Sequence, residues 1–306
     1  MNSRVVDTPP KDSVRILLNE IIDYAGLFPP SQVSMSDAVL NYATYRHSNY
    51  GWMLGRFILP VSRLEEFYDS ARELLPKGRE SAWRLSVLAG EDLAATIRSI
   101  IEFNRKHSDY AVCEVLEVKA ATVSKIENTI TALPKAITPY FEISPASRIF
   151  VDLVATLGIK KQRAKIRTGG VTREEFPGTR DIIRFVRTCM AANVPFKATA
   201  GLHHPIRCFK PLTYAPDAPQ GTMHGFLNML LMTGFARESF RVSLLEEIME
   251  EEFEEVFEFV EGGVSWRGSH VLTLSHLDRL RSKGMHSFGS CSFDEPVADL
   301  QNLGIL

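Results

Sequence analysis

The amino-acid sequence predicts an α/β protein, a (β/α)8 barrel of the TIM type with an insertion between strands seven and eight. Seven short apolar or β-branched segments recur at intervals of 25 to 34 residues, and amphipathic segments lie between them. Strands that alternate with helices at this spacing form parallel βαβ units. Seven regular units in a chain of 306 residues favour a closed barrel over an open sheet.

The elements follow in order from the first residues onward. Residues 1–13 are polar and contain two prolines, so we expect a flexible arm before a barrel that spans residues 14–306. An eighth strand is expected at residues 285–290, because a helical segment ending at Gly284 comes directly before it. The first seven predicted strands begin near Ile22, Arg56, Arg84, Cys113, Thr138, Ala164 and Pro195.

The long interval before the eighth strand predicts a mostly helical insertion at residues 205–275. It holds a proline-rich loop, an apolar helix and an acidic helix at residues 243–260. The apolar helix packs either on the barrel or on a second copy in a homo-oligomer. The acidic helix is either a solvated helix or a docking face for a protein partner. Its expected apolar side consists of Leu245, Ile248, Phe253, Val256, Phe257 and Val260.

Composition excludes several classes of protein. Lys and Arg total 35 and Asp and Glu total 37, a net charge of -2 that argues against a nucleic-acid partner. No apolar run reaches the roughly 20 residues of a membrane span, and the first residues do not resemble a signal peptide. Four cysteines without a CxxC pair predict reduced thiols, a cytoplasmic location and no zinc knuckle. Cys291 has no base nearby in sequence, so we expect it to be structural.

Charged residues in four consecutive predicted strands are the strongest functional signal. Barrel strands send alternate side chains inward and outward, and the outward ones meet the helices and should be apolar. With Leu116, Phe141, Ile166 and Ala198 facing outward, six charged residues face the interior. These are Glu117, Lys119, Glu142, Lys165, Arg167 and Lys197. Buried charges are costly unless paired, so we expect an active site there rather than a salt network. Four positive charges against two negative ones predict a small anionic substrate.

The two lysines on adjacent strands, Lys165 and Lys197, admit three interpretations. A lysine amine attacks a carbonyl only when neutral, and burial beside another cation lowers its pKa. Lys165 could therefore form an imine with Lys197 as the neighbouring cation and with Glu142 and Glu117 as proton carriers. Alternatively, the lysines bind a substrate anion, or they form structural ion pairs.

Small residues after three strands are candidates for anion binding. Gly170, Gly201 and Gly289 lie in turns where backbone N–H groups can face a phosphate or carboxylate. Thr199 and Ser290 occupy the same turns, and His203 follows the seventh strand. With Lys119 and Arg167, these residues form the predicted substrate-binding set.

These segments resemble the deoxyribose-phosphate aldolase family of class I aldolases. The segment IIDYAGLFPP resembles that family's first strand, PYFEIS its fifth and GMHSFGSCS its phosphate-binding eighth. AKIRTGG is similar to its reactive-lysine segment, with Lys165 at the Schiff-base position, and PFKATAGLHH places Lys197 at the second lysine. Arg167 stands where the family has a small hydroxyl residue, and Val115 where it has an aspartate. The resemblance implies a barrel and aldol cleavage through an imine, without a cofactor or metal.

Two other functions stay open. A metal-dependent hydrolase or lyase could use His203, His224 and Glu142, although their spacing matches no strong metal-binding motif. A non-catalytic barrel could instead bind an anionic metabolite or a protein partner.

Overall fold

The computed structural model describes residues 9–306, and residues 1–8 of the expected arm lie outside that range. Within residues 9–306 the strands are, in chain order, β1 (Ile22–Tyr24), β2 (Leu54–Pro60), β3 (Trp83–Leu88), β4 (Ala111–Lys119), β5 (Thr138–Glu142), β6 (Arg163–Arg167), β7 (Phe196–Thr199), β8 (Cys208–Pro211), β9 (Gln220–Met223), β10 (Phe257–Val260), β11 (Gly263–Trp266), β12 (His270–Thr273) and β13 (Met285–Ser290). The helices are α1 (Asp12–Leu18), α2 (Met35–Arg46), α3 (Leu64–Ala71), α4 (Leu93–His107), α5 (Val123–Ala132), α6 (Phe150–Ile159), α7 (Thr179–Ala191), α8 (Phe226–Arg237), α9 (Val242–Met249), α10 (Leu274–Lys283) and α11 (Asp294–Asn302).

Eight parallel strands close into the predicted barrel. Strands β1 to β7 follow one another around it, and β13 pairs with both β7 and β1 to complete the circle. All eight predicted strands are present, and the eighth has the expected limits of residues 285–290. The (β/α)8 prediction is therefore confirmed.

The alternation predicted for the charged strands is also observed. Leu116, Phe141, Ile166 and Ala198 are fully buried in the main hydrophobic cluster, which lies between the strands and the surrounding helices. Because successive side chains leave a strand on opposite faces, the charged residues between them face the barrel interior. The sequence pattern thus positions the interior charges.

Two residues that were expected in the N-terminal arm are helical instead. Asp12 and Ser13 already belong to α1, which packs against α10, and Ser13 is buried. The contact arises because Val14, Leu17 and Leu18 form an apolar face, and that face is fully buried.

The segment at residues 205–275 was expected to be mostly helical, but it contains helices α8 and α9 and the five short strands β8 to β12. Residues 226–235 of α8 are all buried, and α8 packs against α7, α9 and α10 on the barrel. Phe226 of α8 stacks on Phe288 of β13, with ring centroids 4.9 Å apart. The apolar helix therefore covers the barrel of its own chain.

The predicted acidic helix at residues 243–260 is wrong beyond Met249. The helix α9 ends there, and residues 257–260 form β10, which pairs with β11. Five glutamates crowd residues 250–255 and repel one another in a helix, whereas FEFV alternates with the period of a strand. Phe253 and Val260, expected on the packed side, are 64% and 48% exposed.

Two further expectations concern the whole chain. Each helix that the structure describes is too short or too polar to cross a bilayer. All four cysteines are free thiols, as expected.

The contact between α8 and the barrel leads to a prediction about stability. Replacing Phe226 with alanine removes a fully buried ring that stacks on Phe288, so the free energy of unfolding should fall by about 3–5 kcal/mol. Phe209→Ala, at a ring 63% exposed in the same segment, should cost roughly 0.5 kcal/mol or less. Denaturant unfolding of both variants measures the difference. Equal, small effects would show that α8 does not contribute to the barrel core.

Candidate active site

Strand register brings the predicted charges to one level of the barrel. Lys119 of β4 is the partner of Glu142 in β5, Glu142 is the partner of Lys165 in β6, and Lys165 is the partner of Lys197 in β7. Neighbouring parallel strands lie about 4.8 Å apart, so side chains at matched positions can touch. Four consecutive strands thus supply one ionic layer.

A cavity of about 280 Å³ opens beside this layer, near the carboxyl ends of the strands. Ten of the twelve predicted site residues line it, namely Glu117, Lys119, Glu142, Lys165, Arg167, Gly170, Thr199, Gly201, His203 and Gly289. An apolar wall is formed by Phe28, Pro29, Pro30, Ile58 and Leu88. The cavity therefore combines charged groups with a surface suited to a short carbon skeleton.

Two glycines let the loops after β6 and β7 meet at the edge of the cavity. Gly201 has a φ of +76°, a conformation that favours glycine. A Cβ atom on Gly169 or Gly201 would lie 2.8 Å from the Cα atom of the other residue. Side chains at either position would push these two loops apart.

Lys197 lies beneath the cavity rather than on its wall. Its Nζ atom is 2.6 Å from Asp23 Oδ2 and 2.7 Å from Glu117 Oε1, and all three side chains are 1% exposed. Burial lowers the pKa of Lys197, but the two carboxylates outweigh burial and raise it above its usual value. Lys197 is therefore a fixed cation under the cavity floor.

Glu117 connects the two lysines. Its Oε1 atom pairs with Lys197, and its Oε2 atom lies 2.6 Å from Lys165 Nζ. Ser86 donates a further hydrogen bond to Oε1. Although burial raises the pKa of Glu117, the Lys165 and Lys197 ammonium groups hold it well below the usual range.

Lys165 combines burial with access to the cavity. Its side chain is 4% exposed, and its Nζ atom also lies 2.9 Å from Glu142 Oε2. The Glu142 side chain is 19% exposed, so this carboxylate meets both the amine and the cavity. Among the charged residues of the layer, Lys165 is the buried amine that a ligand can reach.

Asp23 is the functional residue that sequence reasoning missed. Its Oδ2 atom accepts hydrogen bonds from Lys197 and Ser287, and its Oδ1 atom accepts one from the Arg56 backbone N–H. Burial raises its pKa, but Lys197 holds the pKa below the usual value. The signal was present in the first predicted strand, where one carboxylate stands between Ile22 and Tyr24.

The cationic surplus expected from the sequence is smaller in the structure. Asp23 adds a negative charge below the floor, and Glu175 pairs with Arg167 at 3.3 Å on the rim. Four positive groups then face four negative ones. The net charge of these groups therefore does not favour an anion, and the exposed cations Lys119 and Arg167 line the cavity above the buried ion pairs.

Ser290 does not line the cavity, contrary to the prediction. Gly289 faces the interior, so the next residue of the strand points to the other face, where Ser290 is 2% exposed. Its backbone carbonyl accepts a hydrogen bond from Ala25 N.

The histidines proposed for a metal site do not converge. His203 lines the cavity with Glu142, whereas His224 hydrogen-bonds the Pro177 carbonyl and is not part of the cavity lining. Between residues 9 and 306 no three His, Cys, Asp or Glu side chains are arranged to hold a metal ion. His203 instead lies beside Cys291, with 3.8 Å between Nδ1 and Sγ, so the fold supplies a base that is not near Cys291 in sequence.

Comparison with known proteins leaves the site to be interpreted from its own residues. No protein-family model, curated protein or solved structure matches this chain. The fold shown by the coordinates is that of a (β/α)8 barrel, a class that hosts many unrelated reactions.

The buried ion pairs under the floor predict an unusual pH response. In Lys197→Met, Asp23 and Glu117 lose their shared partner, so the free energy of unfolding at pH 7 should fall by about 3–5 kcal/mol. In wild type, both carboxyl pKa values lie below their unfolded values, so this stabilisation is complete above about pH 5 and is lost as pH falls. In the variant, Asp23 has lost its lysine partner and Glu117 keeps only Lys165, so acid neutralises carboxylates whose charge is no longer fully compensated.

The stability deficit of Lys197→Met should therefore shrink between pH 7 and pH 4. Denaturant unfolding at several pH values measures it. Lys160→Met, at a half-exposed pair with Glu127, is the matched control and should cost under about 1 kcal/mol. A deficit that is small, or constant with pH, would contradict the assigned ion pairs.

Proposed function

We propose that this protein is a lyase of class I aldolase type, which forms or cleaves a carbon–carbon bond in a small anionic carbonyl compound through an imine on Lys165. The observation that carries the proposal is the unequal placement of the two amines. Lys165 lines the cavity, whereas Lys197 is enclosed by Asp23 and Glu117 below it. Of these two buried lysines, Lys165 is therefore the one that can reach a bound carbonyl carbon.

The neighbours of Lys165 supply the proton transfers that an imine requires. Attack needs the neutral amine, and Glu142 lies 2.9 Å from Nζ, close enough to accept its proton. Entry of a substrate displaces water from the cavity, which raises the cost of keeping both groups charged. Lys197 occupies the matched position on the adjacent strand, with the Glu117 carboxylate between the two amines.

After it accepts this proton, Glu142 is a carboxylic acid and can donate a proton in the next step. The amine adds to the carbonyl carbon to give a carbinolamine, and the acid returns a proton to its hydroxyl group, which leaves as water. The resulting iminium accepts the electron pair of the cleaved carbon–carbon bond. Glu142, now a carboxylate, can remove the proton of the substrate hydroxyl group. Glu117 stays ionised between the lysines and positions Lys165.

The rest of the cavity fits the substrate class. Lys119 and Arg167 offer cations to a phosphate or carboxylate, and the apolar wall from Phe28 to Pro30 faces the carbon chain. The resemblance to the deoxyribose-phosphate aldolase family supports the same chemistry, because it places Lys165 at that family's imine position.

Reductive trapping tests the imine. Borohydride, added with dihydroxyacetone phosphate, glyceraldehyde 3-phosphate or pyruvate, should leave one adduct per chain on the peptide that contains Lys165. Lys165→Met should abolish the adduct, whereas Lys160→Met, which replaces a surface lysine, should retain it. Peptide mass spectrometry locates the adduct. No adduct with any probe, or adducts only on other lysines, would overturn the proposal.

The role of the rim cations has a separate test. Lys119→Ala removes a charge-assisted contact with the substrate anion, so the phosphate-bearing aldehyde should need a roughly tenfold higher concentration for half-maximal trapping. Trapping of glycolaldehyde, which carries no charge, should be unchanged. An equal effect on both aldehydes would show that Lys119 does not bind the anion.

A further inference from the structure

A second cluster of reactive groups lines the cavity that contains Lys165. Cys291 Sγ lies 3.8 Å from His203 Nδ1, and Glu295 Oε2 lies 3.4 Å from the same nitrogen. The Tyr214 hydroxyl donates a hydrogen bond to Glu295 Oε2 at 3.3 Å and lies 3.9 Å from Sγ. The thiol and the imidazole therefore meet on the cavity wall, and the carboxylate and the phenol lie behind them, outside the cavity lining.

The fold builds this cluster from neighbouring strand ends. His203 follows β7 and Cys291 follows β13, two strands that pair directly through Thr199 and Gly289. Glu295 lies in the first turn of α11, just after Cys291. The sequence separation of 88 residues between the histidine and the cysteine hides a contact that the closed barrel makes local.

The electrostatics favour a thiolate paired with an imidazolium. Burial raises the pKa of the Cys291 thiol, but His203 outweighs burial and brings the pKa below its usual value. Burial lowers the pKa of His203, whereas Cys291 and Glu295 raise it to about 9. The imidazolium and the thiolate therefore stabilise each other at this contact.

Other titratable groups lie around the cluster. Tyr24 has a pKa raised mainly by burial, so it is a neutral neighbour of the thiol. On the far side of Glu295, His204 lies 4.0 Å from Oε1 and pairs with Asp299 at 2.6 Å. Lys210 lies 3.3 Å from His204. None of these four groups separates Cys291 from His203.

We propose that Cys291 and His203 form a second nucleophilic site in this cavity, which takes a small aldehyde by reversible addition of the thiol to the carbonyl carbon. The sulfur–carbon bond forms as the carbon–oxygen π bond breaks, and the electron pair moves to oxygen. The His203 imidazolium gives its proton to that oxygen, which yields a hemithioacetal. The hemithioacetal contains all the atoms of the thiol and the aldehyde, so no oxidant or reductant takes part.

This site does not depend on an imine at Lys165. The sulfur nucleophile belongs to residues after β7 and β13, whereas the amine belongs to β6. A cavity with both nucleophiles can hold two carbonyl compounds, or the two carbonyl products of one carbon–carbon cleavage.

Iodoacetamide labelling tests the activated thiol. At pH 7 the Cys291 peptide should be alkylated at least about tenfold faster than the Cys208 peptide, because labelling follows the thiolate. Cys208 is the more exposed of the two, but burial raises its pKa to about 11. His203→Gln should remove the advantage of Cys291. The control His224→Gln, at a buried histidine outside the cavity, should retain it. Equal labelling of the two cysteines, or no effect of His203→Gln, would overturn the pairing.

Protection by an aldehyde tests the addition itself. In Lys165→Met, which cannot form the imine, millimolar glyceraldehyde 3-phosphate should slow alkylation of Cys291 and leave Cys208 unaffected. Dilution should restore labelling, because the adduct is reversible. Unchanged labelling of Cys291 would contradict the thiol site and leave the imine proposal standing. Protection in this variant, with no borohydride adduct in wild type, would support the thiol site and reject the imine.

Discussion

One carboxylate, that of Glu117, lies between two ammonium groups inside the barrel, and the candidate site depends on it. Its two oxygen atoms lie 2.7 Å from Lys197 Nζ and 2.6 Å from Lys165 Nζ. Without Glu117, two neighbouring strands would bring two buried cations together, which costs several kcal/mol in a medium of low polarity. The carboxylate therefore allows β6 and β7 to present lysines at matched positions.

The two lysines that Glu117 bridges have different surroundings. Asp23 completes the surroundings of Lys197 from β1, so its charge is compensated below the floor. The second partner of Lys165 is Glu142, which is partly exposed at the cavity. A buried ion pair that is open on one side can exchange its proton with a ligand, whereas an enclosed pair cannot. The proposed imine at Lys165 rests on this difference between an enclosed and an open pair.

The cavity concentrates different chemistries in a small volume. An amine with two carboxylates lies at β4 to β6, and a thiol beside an imidazole lies at the ends of β7 and β13. Apolar residues after β1 form a further wall. Barrels permit such combinations because each strand end contributes one or two side chains to a common opening, while the core between strands and helices supplies the stability.

The sequence by itself determined the barrel, its eight strands and the inward direction of six charged residues. Those properties depend on periodicity, and the period of two in a strand is readable from neighbouring residues such as Leu116 and Glu117. The same reasoning failed at residues 250–260, where the predicted helix was extended across a glutamate-rich segment into a short alternating strand. The local sequence does not reveal whether such a segment becomes a helix or a strand, because both propensities are weak and pairing with a neighbouring strand decides between them.

Tertiary structure alone decided which charges meet. The pairing of Lys197 with Asp23 joins residues 174 positions apart, and that of Cys291 with His203 joins residues 88 apart. Barrel closure brings β13 between β7 and β1, so the first and last parts of the chain become neighbours. Closure also places one lysine under the floor and the other on the wall. The spacing of the two lysines in the sequence does not show which of them is enclosed, because the burial of a side chain depends on the folded structure.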